Sequence, residues 1–142
     1  MKELMLEATI ENIERVTAFI DEQLEAVDCP RKAQMQINVA MDELLSNIAQ
    51  YAYKENGGMV IVQLDIQRGK ETIPCAQITL MDCGIPYDPL KMEDPDVTLS
   101  LEERPEGGLG IFMAKKLMDH ISYEYREGRN ILTVTKRLER GN

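Results

Sequence analysis

Three glycines running into an amphipathic helix constrain this chain more than any other stretch. They lie in Arg104-Pro-Glu-Gly-Gly-Leu-Gly-Ile-Phe-Met-Ala-Lys-Lys-Leu-Met-Asp119. Glycine has no Cβ and tolerates positive φ, so the backbone there can come close to a neighbour or a ligand. The helix that follows offers unpaired N–H groups and the positive end of its dipole, which together favour an anion such as phosphate. Gly107, Gly108 and Gly110 are therefore candidates for a phosphate cradle. The plainer alternative is a glycine-rich turn that opens a packed helix.

With 142 residues, 44% of them hydrophobic, the chain is expected to form one domain over residues 1–142 with a single core. A formal net charge of -9 argues against nucleic acid or an anionic membrane as partner, since both need clustered Lys and Arg. The opening Met-Lys-Glu-Leu-Met-Leu is too short and too charged for a secretory signal, and no apolar run approaches the ~20 residues of a membrane span. A cytoplasmic location is the expectation. Cys29, Cys75 and Cys83 are odd in number and lack Cys-x-x-Cys spacing, so they read as reduced, mostly buried small hydrophobes rather than a disulfide framework or zinc site. A single His120 excludes a multi-histidine metal site and reads as a surface residue at a helix end.

Alternation of Leu4, Leu6 and Ala8 against Met5, Glu7 and Thr9 predicts a first strand over Leu4–Thr9. A helix follows from about Thr9 to Val27, with Ile13, Val16, Phe19, Ile20 and Leu24 at helical spacing. Pro30 suits the first turn of the next helix, roughly Arg31 to Tyr53. There Ile37, Met41, Leu44, Leu45, Ile48 and Ala52 share one arc, and Glu43 and Asn47 stand one turn apart on its shoulder. Such a pair beside the core could line a cleft, the amide oxygen facing a metal ion and the carboxylate a water or hydroxyl. A half-exposed helix flank is the ordinary alternative.

Strands are predicted over Met59–Ile66 and Cys75–Asp82. In the second, the period of two puts Asp82 on the same side as Ala76, Ile78 and Leu80, where a core residue is expected. A carboxylate there needs hydrogen-bond donors from the protein or a ligand. Gly84 frees the backbone just beyond, and Cys83 to Pro89 turns out of the sheet. Leu90–Glu106 has no apolar period and reads as a mobile surface segment or lid. A helix after the glycines, carrying Ile111, Phe112, Ala114, Leu117 and Met118, and a hairpin of Ile121–Arg126 and Asn130–Arg137 complete the chain.

In order, then, come Glu43-x-x-x-Asn47, Asp82-x-Gly84-x-Pro86 and Gly107-Gly-Leu-Gly110. This set resembles the Bergerat-type ATP-binding domain shared by type II topoisomerases, heat-shock chaperones, histidine kinases and mismatch-repair ATPases. It is most similar to the bacterial anti-sigma factor serine/threonine kinases, in Asp82-Cys-Gly-Ile-Pro-Tyr-Asp-Pro89, Gly107-Gly-Leu-Gly-Ile111 and Leu117-Met-Asp119. The resemblance implies an α+β fold: a two-layer sandwich whose mixed, mostly antiparallel sheet is covered on one face by about three helices. It implies ATP and Mg²⁺ as cofactors, with Asp82 accepting from the adenine amine and Gly84 and Pro86 beside the base. Asn47 would hold the metal and Glu43 would orient or deprotonate the attacking hydroxyl. Gly107, Gly108, Leu109 and Gly110 would bind phosphates under the lid, and Arg104 would approach the terminal phosphate. Tyr51 departs from the pattern, since many relatives have histidine there. The implied function is an ATP-dependent protein serine/threonine kinase that phosphorylates an anti-anti-sigma antagonist and sequesters a sigma factor, with a homodimer among its associations. Two alternatives are an ATP-responsive binding switch without phosphoryl transfer and a stand-alone histidine-kinase-like ATPase domain.

Overall fold

A computed structural model describes residues 1–53, 57–68, 73–91 and 109–139. The elements in chain order are β1 (Lys2–Glu7), α1 (Ile13–Glu25), α2 (Arg31–Tyr51), β2 (Met59–Gln67), β3 (Cys75–Asp82), a single 3-10 turn (Pro89–Lys91), α3 (Leu109–Leu117), β4 (His120–Arg126) and β5 (Arg129–Arg137).

The strands form one sheet in the order β1-β2-β3-β5-β4. Every pairing is antiparallel, so the sheet expected to be mixed has one sense throughout. Period-two patterning decides which side is covered. Val60, Val62 and Leu64 of β2, Ala76, Ile78 and Leu80 of β3, and Leu132 and Val134 of β5 are all buried. The helices supply the other layer, through Val16, Ile20 and Leu24 of α1, Ile37, Met41, Leu44 and Leu45 of α2, and Ile111 and Ala114 of α3. No helix among the described residues covers the opposite face of the sheet. There Met5, Ile61, Met81 and Ile131 lie side by side across four strands.

Local chemistry sets the element ends. β1 starts at Lys2, opposite Leu64, and stops at Glu7. The segment Thr9 to Asn12 is a turn rather than the start of α1, because the Asn12 N–H bonds to both the carbonyl and the hydroxyl of Thr9 at 3.2 and 3.3 Å. α1 closes in a Schellman arrangement: Asp28 takes φ 53, the Cys29 N–H reaches Leu24 O at 3.0 Å and the Asp28 N–H reaches Glu25 O at 3.1 Å. Aspartate is among the few residues that tolerate this left-handed region. Between β4 and β5, Glu127 and Gly128 have φ of 53 and 79, the two positive values that a tight hairpin turn matching strand twist requires.

Two expectations need correction. Cys83 is exposed, and Cys29 and Cys75 are only half-buried. Cys83 follows the last residue of β3, outside the sheet's core, and Cys75 points to the open face beside Arg137. α2 ends at Tyr51, two residues short of the expectation. His120 is exposed, as expected, and begins β4 directly after α3. Most of the predicted lid, residues 92–106, lies outside the described residues.

Candidate functional site

The site forms where the C-terminal half of α2 passes the end of β3. Asp82 closes β3 on the core side, level with Val60 of β2 and Asn130 of β5. It is 6% exposed and Asn130 7%, and these are the buried polar side chains among the described residues. Burying a carboxylate is costly unless donors meet it. Two do: the Gly84 N–H reaches Asp82 Oδ1 at 2.8 Å and the Asn130 Nδ2 amide reaches the same oxygen at 2.9 Å. Asp82 Oδ2 accepts no hydrogen bond among the described residues.

Asn130 is held in turn. Its Nδ2 also donates to Ile85 O at 2.9 Å. Its Oδ1 accepts from the Tyr87 N–H at 3.2 Å and from the Tyr123 hydroxyl. β3, the turn after it, β4 and β5 are thus tied together through one amide. On the α2 side, the Ile85 N–H bonds to Ala52 O at 2.9 Å. The Cys83 N–H donates to Tyr53 Oη at 2.7 Å, and the Tyr53 hydroxyl donates to Met59 O at 2.6 Å. Burial raises the Tyr53, Tyr87 and Tyr123 hydroxyls above their ordinary pKa.

These contacts frame a largely apolar cleft. Leu44, Ile48 and Ala52 form its α2 wall, Ile85, Tyr87 and Pro89 its outer wall, and Tyr123 and Leu132 its floor, with Asp82 and Asn130 at one end. A second, polar cleft is lined by Glu43, Ser46, Asn47, Gln50, Tyr51, Gly110 and Ile111. Asn47 and Tyr51 line both, so the two are continuous along α2. An apolar slot with one carboxylate end and a polar annex matches a ligand with a flat heteroaromatic part and a charged part.

Several predicted residues are brought together here. Glu43, Asn47 and Gly110 share the polar cleft, and Asn47 connects it to Asp82. A β-carbon on Gly110 would overlap Glu43 Oε2, so the glycine at the start of α3 is what admits that carboxylate. Gly84 packs against α2: a β-carbon there would overlap the Ala52 carbonyl, which accounts for this glycine without any ligand. Pro86 is exposed in the turn and is not among the cleft-lining residues, whereas Pro89 is buried and is. Leu109 begins α3. Arg104, Gly107 and Gly108 lie outside the described residues. Sequence reasoning missed Asn130, Tyr123 and Tyr87. The signal for Asn130 was available, because it alternates with Leu132 and Val134 as Asp82 does with Leu80 and Ile78.

Residues 6–136 match the model of the histidine kinase-like ATPase domain. The chain belongs to that family. Within the histidine kinase-like ATPases, its relatives include the serine-protein kinases RsbW of Bacillus thuringiensis (strain Al Hakam) and Bacillus cereus (strain 03BB102). Each is 30% identical over 108 residues, covering 73% of this chain and 64% of the relative. The chain therefore spans less than two thirds of these kinases' length. A crystal structure of RsbU and RsbW domains from Mycobacterium tuberculosis superposes with a TM-score of 0.60 at 20% identity, over 96% of this chain and 32% of that one. The fold is thus shared with an RsbW-containing structure, as an α+β sandwich of open antiparallel sheet and helices.

Proposed function

We propose that this histidine kinase-like ATPase domain binds ATP with Mg²⁺ and is an anti-sigma-type protein serine/threonine kinase. The carrying observation is the pairing of Asp82 and Asn130 at the end of an apolar cleft that continues, past Asn47 and Tyr51, into a polar cleft holding Glu43. A carboxylate oxygen with no donor among the described residues suits the exocyclic amine of adenine, and the apolar walls suit a purine ring.

Bound ATP supplies the phosphoryl group and its charge. Asn47 would offer an amide oxygen to Mg²⁺, whose remaining positions phosphates and water usually fill. Among the described residues no three His, Cys, Asp or Glu side chains gather as a metal site, so the polar cleft fits a phosphate-bound magnesium better than a cation held by protein alone. The start of α3 at Leu109 and Gly110 would present N–H groups to phosphate, with Gly107, Gly108 and Arg104 completing the cradle. Glu43 would orient an incoming hydroxyl and take its proton. The glycine at position 110 leaves room for the Glu43 carboxylate where both residues line that cleft.

The partner reading rests on the relatives named RsbW and on chemistry. In-line transfer needs an acceptor hydroxyl held in place, and a domain of this size would obtain it by docking a folded antagonist of the anti-anti-sigma type, with a sigma factor as the sequestered target. A homodimer through β1 and α1 and a cytoplasmic setting belong to the same reading. No helix among the described residues is long and apolar enough to cross a membrane. The test is transfer of labelled γ-phosphate from Mg-ATP to serine or threonine of a candidate antagonist. Transfer that wild type performs and Glu43→Gln does not supports the kinase; ATP binding without transfer by wild type leaves an ATP-responsive switch.

A further inference from the structure

We infer that Asn130 is the positioning residue that sets base selectivity in this cleft, by holding Asp82 so that a single carboxylate oxygen faces the ligand. The inference deepens the ATP-binding reading and rests on it. The orientation of the Asn130 amide is fixed by groups that cannot exchange roles. The Tyr87 N–H on its oxygen side can only donate, and the Ile85 carbonyl on its nitrogen side can only accept. The nitrogen must therefore face Asp82 Oδ1, 2.9 Å away. That oxygen already receives the Gly84 N–H, so its two donors turn it toward protein. Oδ2 is left as a defined acceptor.

An acceptor fixed in this way favours a base that presents an amine and disfavours one that presents a carbonyl at the same place. All four hydrogen-bonding positions of the Asn130 amide are used within the protein, so it selects through Asp82 and not by touching the base. If the amide were absent, Asp82 could rotate and admit a bridging water, and the cleft would accept amine and carbonyl bases more equally.

The experiment compares ATP with inosine triphosphate, which carries a carbonyl where adenine carries the amine, by calorimetric titration at about pH 8 and about pH 5.5. In Asn130→Asp the shape is kept but a second carboxyl group meets Asp82 at roughly 3 Å, where two ionised carboxylates repel each other unless they share a proton. The other titratable and charged groups around the pair are Tyr51 of α2, Tyr53 beyond it, Cys83, Tyr87 and Asp88 of the turn, Tyr123 of β4 and Arg129 of β5; wild type run in parallel accounts for them. Wild type should prefer ATP by about tenfold or more, the cost of leaving a buried acceptor unpaired. Asn130→Asp should lose most of that preference at the higher pH and regain it at the lower, where the shared proton restores a donor to Asp82 Oδ1. Preference that is unchanged at both values, or lost equally at both, overturns the inference. If wild type does not prefer ATP, the nucleotide reading itself fails. Thermal unfolding of the variant checks its fold, and Tyr123→Phe, which removes one donor to Asn130 without adding charge, should reduce the ATP preference by a smaller factor. An unchanged preference in a well-folded Tyr123→Phe also counts against the inference.

Discussion

Glu43 of α2 lies against Gly110 of α3 so closely that a β-carbon on the glycine would occupy the position of its carboxylate oxygen Oε2. The Glu43 carboxylate thus occupies the space that a side chain at position 110 would take, in the polar cleft that both residues line. Gly110→Ala should separate stability from activity. Alanine in a helix is favoured over glycine by up to ~1 kcal/mol, and the obstacle is the end of a long side chain that can swing aside. We expect unfolding temperature to hold or rise while phosphoryl transfer falls at least about tenfold, as a displaced base loses its geometry. In a Glu43→Ala background the same substitution should cause no further loss of transfer, measured as a double-mutant cycle.

Binding and chemistry should come apart at the two ends of Glu43-x-x-x-Asn47. Removing a general base costs about 10²–10⁴ in rate with little effect on ground-state affinity. Glu43→Gln should therefore retain Mg-ATP and lose transfer. Asn47→Ala should weaken the magnesium-dependent part of binding. Titrations with and without Mg²⁺, alongside transfer assays, distinguish the two. Loss of ATP binding in Glu43→Gln would contradict the role given to that carboxylate.

Alkaline pH should loosen the rim of the apolar cleft. Burial raises the Tyr53, Tyr87 and Tyr123 hydroxyls above the ordinary 10.0. A group whose pKa is higher folded than unfolded contributes stability that is complete below the unfolded value and is lost as pH rises through the folded one. Denaturant midpoints should thus be flat up to about pH 9 and fall above about pH 10. Tyr123→Phe should reduce the slope of that fall, since phenylalanine has no proton to lose. An equal slope in wild type and variant would show that Tyr123 does not contribute.

The core of this molecule is legible in the sequence because burial obeys period. Leu4 and Leu6, the arc from Ile37 to Ala52, and Ala76, Ile78 and Leu80 fall on the predicted faces. The same rule exposed Asp82 as an inward carboxylate, and Glu43 and Asn47 as neighbours. Asn130 was missed although it obeys that rule and opens the predicted strand Asn130–Arg137, since its place opposite Asp82 shows only once β5 is paired with β3. The reason for Gly84 was also hidden: it is set by the Ala52 carbonyl, from a helix more than thirty residues away in sequence. Helix ends were misplaced where side chains and tertiary bonds compete with the backbone, at Thr9–Asn12 and at Ala52. Cysteine burial was misjudged because composition alone does not say that Cys75 points to the uncovered sheet face and that Cys83 falls beyond the end of β3.

Calorimetric titration of Mg-ATP into wild type and Asp82→Asn tests the central claim most directly. The substitution replaces one carboxylate oxygen by an amide nitrogen, turning an acceptor into a donor where the adenine amine is to bind. Losing a hydrogen bond to a charged group in a closed site costs about 1.5–3 kcal/mol, roughly 10- to 150-fold in affinity. The account predicts saturable ATP binding by wild type and a loss of that size in the variant, with the fold retained. Equal affinity in the two proteins, or no ATP binding by wild type, would contradict it.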